Sequence, residues 1–243
     1  MSNPPCQPTN HKPVIDDECV SRICHTLHQW LNSIPKLKHP FEEGPIPRNG
    51  IYVLFEDGES GHDTNRIVRI GTHTGIDQLR PRLIQHFVNE IKDRSIFRKN
   101  IGRCVLNRDN DSFLEHWDLD LTTRRARTAY AGRIDFNKQT HVESQVSEYI
   151  RDHFRFVVFE IAEKGRRIEL ESKIISTVSH CNVCGPSNTW LGGYSPKSKI
   201  REYGLWQEKE LCKTPLSKDE LLELKKSVTL GLSAPASSTN QHN

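Results

Sequence analysis

The most constraining stretch of this chain is NGIYVLFEDGESGHDTNRIVRIGTHTG, Asn49 to Gly75. Ile51, Val53 and Phe55 alternate with Tyr52, Leu54 and Glu56, and Val68 and Ile70 alternate with Ile67, Arg69 and Gly71. A period of two sends successive side chains to opposite faces, so the stretch reads as two strands joined by a polar loop. The alternation puts Tyr52 and Arg69 together, on the face turned away from the expected core. A phenol and a guanidinium on one face, just ahead of a glycine-bracketed turn, call for a chemical explanation.

The segments around the hairpin read mostly as helices. DDECVSRICHTLHQWLNSI spaces Val20, Ile23, Leu27, Leu31 and Ile34 on one helical face. In DQLRPRLIQHFVNEIKD, Leu79, Leu83, Phe87 and Ile91 step by four. Arg82 and His86 take a neighbouring stripe one turn apart, and Pro81 fits the first turn. SIFRKNIGRCVL, HVESQVSEYIRDHF and RRIELESKIISTVSHC are three further helices. FRFVVFEIA, 154–162, is apolar enough to be a central strand. Ser195-Pro196 has the form of a helix start, and SKDELLELKKS opens with a Ser217/Glu220 capping box. The fold expected is α/β of the α+β kind, a small, mostly antiparallel sheet flanked by helices, with helical extensions at both ends.

Composition narrows the class. A chain of 243 residues, 35% hydrophobic and 27% charged, can bury a core without staples. No apolar run nears the roughly 18 residues that span a bilayer, and the first residues lack a secretory signal's apolar segment. These features predict a cytoplasmic protein with no membrane partner. Seven cysteines, an odd number irregularly spaced, predict reduced thiols. Cys181-x-x-Cys184 is half a zinc site, which Cys19, Cys24, His25 and His28 could complete only if the N-terminal helix docked there. No structural zinc is expected, and a Cys/His redox or zinc adaptor ranks as a third reading of function. Net charge is only +3, but eight Lys or Arg lie between Arg80 and Arg108 against two acids, Glu90 and Asp93. Such a stripe is the footprint of a phosphate-backbone binder. Arg80, Arg94, Arg98, Lys99 and Arg103 are its expected nucleic-acid contacts.

Gly50-Ile51-Tyr52, Arg69-Ile70-Gly71, the Arg82/His86 pair, a later helix with Glu171 and a following Asn come in an ordered series. This series resembles the GIY-YIG endonuclease superfamily, with the second motif present as RIG. The resemblance covers residues 49–195, with an insertion near 105–150. Around it lie an N-terminal helix and linker, 16–48, and a helical extension, 196–230. Residues 1–15 and 231–243 read as disordered.

The resemblance implies metal-dependent hydrolysis of phosphodiesters, with DNA ahead of RNA as the nucleic-acid partner. Tyr52 would activate water, Arg82 would neutralise the phosphate, and His86 would move or orient a proton. Glu171, with Glu169 as the alternative, would hold Mg²⁺ or Mn²⁺. Asn188 would be the late Asn, with Asn182 competing. Arg69 stands where the family has its second Tyr, close enough in phase to act on Tyr52 or on a phosphate. The competing reading is a catalytically inactive protein that keeps the fold and binds nucleic acid.

Overall fold

The computed structural model describes residues 16–233, with side chains through residue 228. The ends read as disordered fall outside that range, except that the last helix runs on to Ser233. The elements in chain order are helix α1 (Asp17–Ser33), strands β1 (Gly50–Gly61) and β2 (Thr64–Gly71), and helices α2 (Leu79–Phe87) and α3 (Ile96–Arg108). Helices α4 (Leu114–Trp117), α5 (Arg124–Tyr130) and α6 (Phe136–His153) lead to β3 (Phe154–Glu160). Helices α7 (Lys164–His180), α8 (Ser198–Tyr203) and α9 (Lys218–Ser233) complete it. Among the described residues no helix is long and apolar enough to cross a membrane.

Local chemistry sets several boundaries. Asp16 caps α1 by accepting the backbone N–H of Glu18 and Cys19. The Ser217/Glu220 box forms reciprocally, Ser217 N to Glu220 Oε2 at 2.9 Å and Glu220 N to Ser217 Oγ at 3.2 Å. Ser195-Pro196 does not open a helix: Ser195 Oγ accepts Lys197 N–H in a local turn, and α8 begins at Ser198. The hairpin closes on His62 and Asp63, both at positive φ (52° and 59°), as a two-residue turn between twisted strands requires.

The three strands form an antiparallel sheet in the order β2-β1-β3. The central strand is therefore β1, not 154–162, which lies at the edge. The outer side of β3 is capped by Leu37, which exchanges two backbone hydrogen bonds with Phe156. Apolarity misled the reading because both faces of β3 are covered, whatever its place in the order.

Helices cover both sides of the sheet. One face carries Tyr52, Leu54, Val68 and Phe156 and packs on Leu83, Phe87, Phe97, Ile101, Val146 and Ile150 of α2, α3 and α6. The other carries Ile51, Val53, Phe55 and Val157 and packs on Leu27, Leu31, Ile174, Val178, Leu221 and Leu224 of α1, α7 and α9. Each such side chain contributes about 1.5–3 kcal/mol by leaving water. The Tyr52 face is thus a second core, not a surface turned away from one. Within it the pairing jumps from Leu54↔Arg69 to Phe55↔Ile67. Val68 is the extra residue of this β-bulge, and it breaks the alternation read from 67–71. Arg69, paired with Leu54 ahead of the bulge, lies on the Tyr52 face, and the bulge adds Val68 to that face and sends Ile67 to the other.

Cys19, Cys24, Cys104 and Cys184 are free thiols, whereas Cys212 is disulfide-bonded, a correction to the expectation of reduced thiols. An odd total constrains no individual pair.

Candidate active site

At the start of β1, Tyr52 is 1% exposed, and its hydroxyl lies 2.8 Å from Nε2 of His86, a fully buried residue of α2. On the other side His86 Nδ1 is 2.7 Å from Ser95 Oγ, the cap of α3. Ser95 Oγ also accepts Arg98 N–H, and with its own proton assigned to His86 Nδ1 the hydroxyl both donates and accepts. That leaves His86 Nε2–H to donate to the phenol, a tautomer assigned from the network. Arg69 Nε donates to the same phenol oxygen at 3.4 Å. Arg69 is held in turn by the Trp206 carbonyl and by the Phe97 ring, 5.4 Å from its guanidinium carbon.

The two motif glycines have steric causes. A Cβ on Gly71 would sit 2.2 Å from the Tyr52 hydroxyl, and one on Gly50 would sit 2.2 Å from the Phe159 carbonyl oxygen. The first leaves room for the phenol and the second lets β1 approach β3.

Arg69 leads out of this buried cluster into a cleft of about 690 Å³ that Glu171 also lines. Glu171, on α7, is half-buried, and its Oε1 accepts Thr72 N–H at 3.0 Å just past β2. Burial raises the pKa of this carboxyl; the Thr72 bond and the Arg69 and Arg82 charges act in the opposite sense. Arg82 lines an adjoining depression with Thr72, Gln78 and Gln85, and it donates to Gln85 Oε1 and the Arg94 carbonyl. Arg69 and Glu171 therefore share one cleft, the buried Tyr52–His86 pair lies behind Arg69 and does not line it, and Arg82 lines the separate depression beside Thr72.

Two cleft residues escaped the sequence reading. Asn100 and Gln207 are both buried, and their amide groups, Nδ2 and Nε2, have no hydrogen-bond partner among the described residues. Gln207 Oε1 is fixed by Ile70 N–H at 3.1 Å, and Asn100 Oδ1 by Arg103. Both side chains thus present spare donors beside Arg69. Asn100 sits inside a basic helix that reads as amphipathic, and Gln207 lies in a loop, so periodicity gave no signal for either.

Other expected residues are elsewhere. Asn188 is exposed in a loop anchored by Ser187 to Glu59, toward the far end of β1. That end is on the order of 20 Å along the strand from Tyr52. Asn182 faces Ser21 of α1, and Glu169 is exposed, paired with Arg166 and Lys173. Neither joins the cleft. Trp190 is buried, with its indole N–H on Glu56.

The basic stripe is largely internal. Arg98 is fully buried against Glu143 and Ser147, and Arg103 pairs with Asp118. Lys99 bonds Asp93, and Arg80 is tied to the Ile46 and Gly44 carbonyls. Only Arg94 of the five expected contacts is exposed. Arg98 and Arg103 are neutralised by Glu143 and Asp118, from outside the window in which the charge was counted, whereas Lys99 is neutralised by Asp93 within it.

The buried imidazole makes a testable demand. Burial first, then repulsion from Arg82, Arg69 and Arg98, holds the His86 pKa well below its ordinary 6.5. Below about pH 6.5 the unfolded chain takes up this proton and the folded chain does not. Stability is therefore intact at neutral pH and declines as pH falls through that window. Thermal scans should give a lower Tm at pH 5 than at pH 7, with a smaller decline in His86→Gln; equal declines would assign the effect to other groups.

No curated protein and no solved structure matches the sequence. A family model described as the GIY-YIG domain matches residues 16–230, which takes in the sheet, the cleft and the helices on both sides. The chain belongs to the GIY-YIG family, a membership that supports a nuclease-type function.

Proposed function

We propose that the chain is a metal-dependent endonuclease that hydrolyses phosphodiester bonds, with DNA as its favoured substrate. The observation that carries this reading is the placement of Arg69. It touches the Tyr52–His86 pair behind it and shares with Glu171 the cleft in front of it. Phosphodiester hydrolysis needs a water that loses a proton, neutralisation of charge at phosphorus and support for the leaving oxygen.

The residues divide that work. Arg69, with the spare amide donors of Asn100 and Gln207, holds the non-bridging phosphate oxygens. Arg82 binds the same or the next phosphate from the flank. The Tyr52 oxygen would act as the base as phenolate, its own proton having passed to solvent. It then takes the water proton and returns to neutral phenol, and the His86 Nε2–H and Arg69 Nε–H donors support the charge it carries before that step. The Glu171 carboxylate suits a hard divalent cation, being an oxygen ligand in a cleft wide enough for phosphate and water. Mg²⁺ or Mn²⁺ held there would supply electrophilic activation of the phosphate and support for the leaving oxygen.

The unit that does this is taken as residues 49–195, with 105–150 as an insertion. The 196–230 extension contributes Gln207, Glu210 and Lys213 to the cleft wall.

The test is to incubate purified chain with supercoiled plasmid, linear DNA and RNA in Mg²⁺ or Mn²⁺, beside Arg82→Ala. The expected result is nicking of DNA that a chelator abolishes and the variant loses. Salt-sensitive binding without cleavage in either metal would make the chain a non-catalytic binder. Wild-type nicking by Arg82→Ala would remove that residue from the site.

A further inference from the structure

At the opposite end of β1 from Tyr52, three elements bring thiols and an imidazole together. The CxxC pair, Cys181 and Cys184, follows the last turn of α7. Helix α1 packs along α7, the docking that a complete metal site would require, and it delivers Cys24. The Cys24 and Cys184 sulfurs are 3.7 Å apart, and both are free thiols, well beyond the roughly 2.05 Å of a disulfide. The hairpin tip delivers His62, whose Nε2 is 3.3 Å from Cys181 Sγ. Tetrahedral zinc, with Zn–S near 2.3 Å and Zn–N near 2.0–2.1 Å, spaces its ligands about 3.8 Å S···S and about 3.6 Å S···N. The Cys24–Cys184 and Cys181–His62 separations are each within about 0.3 Å of those values.

Among the described residues, Cys24, His28, His62 and Cys184 bring one ligand atom each within 4.8 Å of one another, so His28 competes with Cys181 for the fourth position. Both of its nitrogens are in use. Nδ1 donates to the Cys24 carbonyl at 3.0 Å, and Nε2 accepts Ile67 N–H at 3.2 Å. It walls the cluster instead of completing it. His62 sits in the left-handed region at the hairpin tip, with φ of 52°, and its ring lies edge-on to that of His28 at 4.9 Å.

We propose that Cys24, Cys181, Cys184 and His62 form a structural zinc site. Four protein ligands close the coordination sphere and leave no position for a substrate, so the role is to clamp α1, the hairpin tip and the end of α7 together. Binding would release the thiol protons, making the ligands thiolates. The expectation against zinc rested on CxxC being half a site; the fold supplies the other half from residues far away in sequence. The proposal is independent of the nuclease reading.

The experiment is elemental analysis of the full chain purified under reducing conditions. The expected result is one zinc per chain, and cobalt substitution should give the absorption bands of tetrahedral thiolate coordination. Cys184→Ser should lose the metal and lower Tm. His62→Cys should keep it as a four-thiolate site, and Cys104→Ser, in the other core, should keep it unchanged. A metal-free wild-type chain that takes up no cobalt would overturn the proposal. So would a Cys24–Cys184 disulfide found by peptide mapping in that preparation, since it would make the cluster a redox pair.

Discussion

Glu171→Gln is expected to lower the DNA cleavage rate by about 10²–10³-fold or more while leaving the protein as stable as wild type. The two halves of this result have separate causes. The Glu171 carboxylate accepts Thr72 N–H through Oε1, and a Gln carboxamide oxygen keeps that bond. The loop after β2 therefore stays where it is. Burial already disfavours the charge on Glu171, and the neutral side chain relieves that cost while giving up the attraction of Arg69 and Arg82. These terms oppose one another, so Tm should move little. Catalysis has no such compensation, because a carboxamide is a poor ligand for a divalent cation and leaves two guanidiniums without their acid. Single-turnover cleavage in Mg²⁺ beside a thermal scan reads both halves. Cleavage at the wild-type rate would take Glu171 out of the chemistry, whereas a large fall in Tm would mean that its bond to Thr72 carries more structural weight than described.

The sequence carried the local features well and the long-range ones unevenly. The hairpin, the capping box and the i, i+4 placement of Arg82 and His86 are encoded within a few residues each, and all appear in the structure. The order of strands is not local. FRFVVFE reads the same whether a neighbouring strand or the Leu37 segment lies on its outer side. Ion pairing is not local either: Arg98 is neutralised by Glu143 on another helix, so a count of charge along α3 overstated its exposed basicity. The same holds for the cleft. Gln207 meets Ile70 across 137 positions, and no spacing rule predicts that encounter. The misplaced Asn188 illustrates the converse, a residue in the right order along the chain whose loop is drawn to Glu59 instead.

The largest effect on stability is expected from Glu56→Ala, about 3–5 kcal/mol, although Glu56 lies outside the cleft. Glu56 is the next outward position on the Tyr52 face of β1 after Leu54 and is buried. Its Oε2 accepts both indole N–H groups of Trp190 and Trp206, each at 2.7 Å, and its Oε1 accepts the Tyr149 hydroxyl. Burial pushes its pKa up, and these three donors oppose the shift. Removing the carboxylate strands two indole donors and one phenol in an apolar core, at about 1–3 kcal/mol each before relaxation or water entry. Relaxation and a water in the vacated space bring the sum to the lower part of that range. In a chain of this length the loss corresponds to a Tm fall of roughly 10 °C. Glu56→Gln should cost less, about 1–2 kcal/mol. Its oxygen can still take both indoles, and only Tyr149 must turn its hydroxyl to accept from the amide. Chemical denaturation of both variants gives the two values directly. If Glu56→Ala proved as stable as Glu56→Gln, water would be satisfying the stranded donors, and the network would not be the clasp that holds Trp206, and with it the carbonyl that anchors Arg69, against the sheet.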